Sequence, residues 1–159
     1  MGLGLTLTQH LLLRLPLGHT DGVEVGEQLA RGEVGIHAEV EFVLGLTVEH
    51  LLREDPGHRW DHWWLAFVEV DGVSEPAGAV VGSVLPENAA GHEGSYIDYI
   101  GVHRLARGRG VAKALLHTVI RDALERGRNR VALEVDADSP TGADGLYTSM
   151  GWETRYRTQ

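Results

Sequence analysis

The stretch VHRLARGRGVAKALL, Val102 to Leu116, decides the fold, because it joins the end of an apolar strand to a glycine-spaced turn and then to an amphipathic helix. Before it, YIDYIGV (Tyr96 to Val102) is rich in β-branched and aromatic residues. After it, Ala112, Leu115, Leu116, Val119 and Ala123 recur at three- and four-residue spacing, the period of one helix face. Gly108 and Gly110 let the backbone curl with no Cβ in the way. The first turn of the helix adds unpaired N–H groups and the positive end of the macrodipole. The pattern predicts a turn that holds a phosphate, with pyrophosphate as its natural occupant.

Spacing separates three phosphate-binding readings. A P-loop needs Gly-x-x-x-x-Gly-Lys-Ser/Thr, but Lys113 lies between Ala112 and Ala114, so both the glycine and the metal-binding hydroxyl are missing. A dinucleotide fingerprint begins at Gly108 and Gly110 but ends on Lys113, whose long side chain opposes close helix–strand packing. What fits is Arg-x-x-Gly-x-Ala on Arg107, Gly110 and Ala112. This resembles the acyl-CoA-binding motif of the GCN5-related N-acetyltransferases.

A second element supports the resemblance, which covers roughly the last half of the chain. Gly127 ends the first helix, RVALEV (Arg130 to Val135) reads as a strand, and Ser139-Pro140 reads as an N-cap with proline at the first helical position. Ala143, Leu146, Tyr147 and Met150 then share a helix face that Gly151 stops, and GADGLYTSMGW is similar to the family's late-helix pattern. Upstream, Leu11 to Leu15 reads as a first strand, and Val23 to Arg31 and Glu39 to Arg53 as two helices. WLAFVEV from Trp64, AGAVVGSVL and YIDYIGV read as an antiparallel meander, and Glu153 to Arg157 as a last short strand. The resemblance implies an α/β fold, a mixed and mostly antiparallel central sheet flanked by helices. Many relatives have a closing hairpin after the position of Trp152, so a partner subunit completing that edge, as a homodimer, is an expectation.

Length and composition fit one domain over residues 1–159, and no repeat or bilayer-length apolar run is apparent. A cytoplasmic location without membrane association is the default expectation. The formal charge of −9 speaks against nucleic acid as a partner and leans toward a cationic substrate such as an amine. The absence of cysteine excludes disulfides, thiolate metal sites and a cysteine nucleophile.

The resemblance implies acetyl-CoA as co-substrate and a primary amine of unknown identity as acceptor, with direct attack on the thioester. It places backbone groups of Ile100 and Val102 at the acyl end. The turn of Arg107, Gly108, Arg109, Gly110, Val111 and Ala112 then lies on the pyrophosphate. Tyr147 falls where the family has a tyrosine near the CoA sulfur and is the candidate general acid. Asp98, an acid inside an apolar strand, is the candidate general base or ammonium ligand; strand alternation puts it on one face with Tyr96, Ile100 and Val102. Glu134 and Asp136 share a face of the strand RVALEVD and form a candidate acceptor pocket. The run HRWDHWW carries His58, Asp61 and His62 at metal-like spacing, but Pro56-Gly57 and the merging strand favour packing. His103 stands near the turn. Acceptor selectivity is expected from the segment between Val23 and Trp60. The rival to an enzyme is a non-catalytic acyl-CoA sensor, which would keep Arg107, Gly110 and Ala112 without a productive acceptor cleft.

Overall fold

The computed structural model describes residues 8–14, 37–136 and 143–158. The chain runs through β1 (Thr8–Arg14), α1 (His37–Leu44), α2 (Val48–Glu54), β2 (Trp63–Val70), β3 (Val73–Leu85) and β4 (Gly94–Val102). It continues through α3 (Val111–Glu125), β5 (Arg130–Asp136), α4 (Ala143–Ser149) and β6 (Glu153–Thr158), with single 3-10 turns at Trp60–His62 and Arg104–Ala106. The six strands form one sheet in the order β2-β3-β4-β5-β1-β6. All neighbours are antiparallel except β4 and β5. Among the described residues no helix is long and apolar enough to cross a membrane.

The sheet is covered on both faces. The stripe read from the sequence, Val111, Leu115, Leu116, Val119 and Ala123, is buried and packs with Val80, Ile97, Val131, Leu133, Tyr147 and Trp152. Each fully buried leucine contributes about 1.5–3 kcal/mol of transfer free energy. Helix α3 lies so close to β3 that a Cβ on Gly78 would stand 2.7 Å from Val111 Cγ1 and 2.9 Å from Leu115 Cδ1. On the other face α1 and α2 bury Val40, Val48 and Leu51 against Trp63, Leu65, Ala79 and Val81.

Three elements differ from the sequence reading. The helix expected over Glu39 to Arg53 is two helices: Gly45 (φ +66) ends α1, and Thr47 caps α2 by accepting from His50 N–H at 3.1 Å. The strand expected from Ala77 begins at Val73, because Asp71 (φ 50) and Gly72 (φ 78) form a two-residue hairpin turn of the kind that needs two left-handed residues. Strand β1, which the sequence left without a place, lies between β5 and β6 and pairs with both, from Thr8↔Asp136 and from Thr8↔Thr158. Strand β1 thereby joins β6, which stands at the edge of the sheet, to the rest of it. The helix expected at Val23 to Arg31 and the cap at Ser139-Pro140 lie outside the described residues.

Candidate active site

The cleft begins where two strands part. Strands β4 and β5 pair in parallel only at Ser95↔Val131, Tyr96↔Ala132 and Ile97↔Leu133, after which no pairing joins them. The β4 edge facing that gap can be identified by counting. His103 N–H donates to the Ala77 carbonyl at 2.7 Å, and opposed residues of an antiparallel ladder alternate between bonded and non-bonded pairs. The pairs Ala79↔Gly101 and Val81↔Tyr99 continue the bonded phase, whereas Gly78↔Val102 and Val80↔Ile100 fall in the other. Ile100 and Val102 therefore turn their N–H and C=O groups away from β3 and into the gap. Their side chains pack against the α3 side of the core.

At the mouth of the gap, β4 leads through the 3-10 turn into the start of α3. Arg107, Gly108, Arg109 and Gly110 are all exposed, and Val111 turns inward at 6% exposure to anchor the helix. Gly110 is the N-cap in the left-handed region (φ 77), and the first intrahelical bond is Ala114 N–H to its carbonyl at 3.0 Å. The N–H groups of Val111, Ala112 and Lys113 thus have no intrahelical acceptor. A Cβ at Gly108 or Gly110 would meet nothing within 4 Å, so the backbone borders open space. Dipole, free donors and two arginines together suit a pyrophosphate.

Asp98 occupies a β-bulge. The register passes from Val81↔Tyr99 to Gly82↔Ile97, leaving Asp98 as the extra residue. The alternation expected from the sequence is corrected accordingly: Ile97, Ile100 and Val102 share the α3 face, while Tyr99 joins the cluster under α1 and α2. The exposed Asp98 carboxyl lies under the influence of the Ser83 hydroxyl and in the field of Asp55 and Glu54. Partial desolvation, opposed by the Ser83 hydroxyl and reinforced by those two carboxylates, raises its pKa above the ordinary aspartate value. Tyr99 donates its O–H to Glu54, which also pairs with His50 Nε2 at 3.2 Å. The hydrogen bond to Glu54, with desolvation added, pushes the Tyr99 phenol up to about 12.

Tyr147 is buried at 5% exposure and meets Trp152 edge-to-face at 5.6 Å, with α4 held by Trp152 N–H to the Tyr147 carbonyl at 3.0 Å. Glu134 is exposed on β5 beyond the last pairing with β4, opposite His10 in register. His103 stacks flat on Phe42 of α1, with ring centroids 4.6 Å apart, which ties α1 to the turn before α3.

The run HRWDHWW belongs to a polar network at the other end of the sheet. His62 Nδ1 bonds Asp61 at 2.8 Å, and Nε2 bonds Arg128 Nη1 at 2.8 Å. Arg128 also donates to Ser95 Oγ at 3.0 Å, and Arg126 reaches Asp61 at 2.9 Å. Burial lowers the His62 pKa despite the Asp61 bond. For Asp61, bonds from Arg59, His62 and Arg126 outweigh desolvation and hold the carboxyl well below its usual range. The network seats the C-terminus of α3 against the start of β4.

Comparison with known proteins places this geometry. Residues 35–152 match the Acetyltransferase (GNAT) family. The chain belongs to the GNAT family. It is 37% identical over 110 residues to the acetyltransferase YE1169 of Yersinia enterocolitica, covering 69% of this chain and 67% of that protein. It superposes on a GCN5-related N-acetyltransferase from Sphaerobacter thermophilus with a TM-score of 0.72 and 28% identity, over 96% of this chain and 49% of the other. The chain therefore spans about half the length of that relative. The NatC complex bound to Gag peptide and CoA shares the fold alone, at a TM-score of 0.59 and 18% identity over 90% of this chain and 84% of the other. The mixed sheet flanked by helices is the GNAT architecture, and the family binds acetyl-CoA.

Within that GNAT frame, sequence reasoning found the glycine turn that opens α3. It missed the bulge and the tether from Tyr99 to Glu54. The one local signal for the bulge was the acid in the middle of YIDYIGV.

Proposed function

We propose that the chain transfers an acetyl group from acetyl-CoA to a primary amine by direct attack. The observation that carries this reading is the parting of β4 and β5 after Ile97↔Leu133, with the outward edge of Ile100 and Val102 along the gap and the free start of α3 at its mouth. Family membership supports the class of chemistry. Pantetheine amides would bond the edge of β4 as an added strand does, and the pyrophosphate would bond the N–H groups at the start of α3.

The amine nitrogen attacks the thioester carbonyl carbon, the C–S bond breaks, and the electron pair leaves on the CoA sulfur. Tyr147 gives its phenolic proton to that sulfur, and Asp98, directly or through water, takes the proton released by the amine. With no cysteine in the chain, a thioester on the enzyme is excluded. A pKa raised above the ordinary aspartate value makes the Asp98 carboxylate a stronger base than a free one.

The test is CoA release, followed with a thiol reagent, from acetyl-CoA across a panel of primary amines. Amine-stimulated release, lost in Tyr147→Phe with acetyl-CoA affinity retained, is expected. Tight acetyl-CoA binding with no release for any amine would favour the sensor instead.

A further inference from the structure

We propose that Glu54 and Asp55, at the end of α2, are positioning residues for Asp98: they hold negative charge beside its carboxyl and, through Tyr99, clamp α2 onto the bulge of β4. The catalytic meaning of this rests on Asp98 acting as the base, as in the function proposed above.

The geometry comes from the bulge. An extra residue at Asp98 lets two successive side chains, Asp98 and Tyr99, address the α2 side of the sheet, which a regular strand forbids. Tyr99 then bonds Glu54, 45 residues earlier in the chain. The two Glu54 oxygens are divided, one to the Tyr99 hydroxyl and one to His50 Nε2 at 3.2 Å, so the carboxylate is fixed from both sides. Asp55 is anchored next to it as the cap of α2: its N–H donates to the Leu51 carbonyl at 3.2 Å and its carbonyl accepts from His58 N–H at 3.0 Å.

The groups facing Asp98 are thus the Ser83 hydroxyl from β3, Asp55 and Glu54 from α2, and Tyr99 from its own strand, with His50 behind Glu54. Tyr99, with its phenol near 12, remains a protonated donor at neutral pH and acts as a tether. Two carboxylates beside a third favour its protonated form, which makes it a better acceptor for the proton of an attacking amine. Holding the end of α2 and tuning the base are one device, because Glu54 performs both.

Asp98 can be titrated directly by carbon-13 NMR of aspartate-labelled protein, with Asp98→Asn identifying its resonance. The variants are Glu54→Gln, Asp55→Asn and the double substitution, each near-isosteric and each checked by melting temperature. Removal of either charge is expected to move the Asp98 midpoint downward by roughly a few tenths of a pH unit, and removal of both to move it further. Tyr99→Phe, which keeps both carboxylates but cuts the tether, is expected to speed amide exchange over residues 51–55. An Asp98 midpoint unmoved in the folded variants would overturn the proposal; should the double variant not fold, unmoved midpoints in the two single variants overturn it equally. The titration needs neither acetyl-CoA nor an acceptor. A failure of the wild type to bind acetyl-CoA would therefore count against the proposed activity and not against the coupling.

Discussion

Replacing His62 with alanine removes the acceptor on which a buried guanidinium depends. Arg128 has a side-chain exposure of 3%, and it donates to His62 Nε2 at 2.8 Å and Ser95 Oγ at 3.0 Å, with Glu93 more distant at 3.7 Å. Arginine can only donate, so the imidazole must present a bare Nε2 and carry its proton on Nδ1, toward Asp61. Loss of a hydrogen bond to a charged buried donor costs about 2–3 kcal/mol. The space vacated by a ring at 2% exposure adds about 1 kcal/mol, and Asp61 loses little because Arg59 and Arg126 remain. The sum is about 3–4 kcal/mol, or a fall in Tm of roughly 6–16 °C for a chain of this size. His62→Gln keeps an oxygen acceptor and is expected to cost about 1 kcal/mol. The pH dependence has a definite sign. The folded pKa of His62 lies below its ordinary value, so its contribution is fully present above about pH 6.5 and is lost as pH falls from there toward the folded pKa. Urea denaturation of wild type, His62→Ala and His62→Gln at pH 7.5 and pH 5 checks both statements. A His62→Ala protein within about 1 kcal/mol of wild type, or one with the same loss of stability on acidification, would refute the reasoning.

Tyr147→Phe is expected to lower kcat by about 100-fold with acetyl-CoA affinity unchanged, the usual size of a lost general acid; full turnover by the variant removes Tyr147 from the mechanism. Asp98→Asn is expected to abolish the acidic limb of kcat/KM. The raised pKa of Asp98 places that limb above the ordinary aspartate range in the wild type, and activity rises with pH through it as the base ionises. An unchanged pH profile in the variant would exclude Asp98 as the base. Gly78→Ala drives a methyl group to 2.7 Å from Val111 Cγ1 and 3.1 Å from the Gly101 carbonyl, so about 1–3 kcal/mol of stability is expected to be lost together with acetyl-CoA affinity, as the start of α3 is pushed off the sheet. Calorimetry and denaturation on the same sample check it, and a stable protein with wild-type affinity would contradict it.

The parts of the fold that the sequence made legible are those specified locally. Val111, Leu115, Leu116, Val119 and Ala123 announce α3 by period, and Gly108, Gly110 and Gly127 punctuate it at both ends, all three with positive φ. The division of α1 from α2 was also written locally, in Gly45 and the capping Thr47, but the apolar run on either side masked it. Long-range pairing was not legible. Nothing in Thr8–Arg14 names β5 and β6 as neighbours, because an alternating strand carries its own faces but not the identity of the edge it joins. The bulge at Asp98 is likewise set by the register against Gly82 and Val81, a property of two strands together. Ser95, His62 and Arg128 come from three separate segments, and their network exists only once the sheet and α3 have assembled.

The most direct test of an acyl-CoA-dependent transferase here is a calorimetric titration of acetyl-CoA into the wild type and into Gly110→Trp. The new side chain would project from the N-cap of α3 into the open space that the proposed function gives to the pyrophosphate. Saturable binding by the wild type, absent in a variant with an unchanged circular dichroism spectrum, is the expected result. No binding by the wild type, or equal binding by the folded variant, would contradict it.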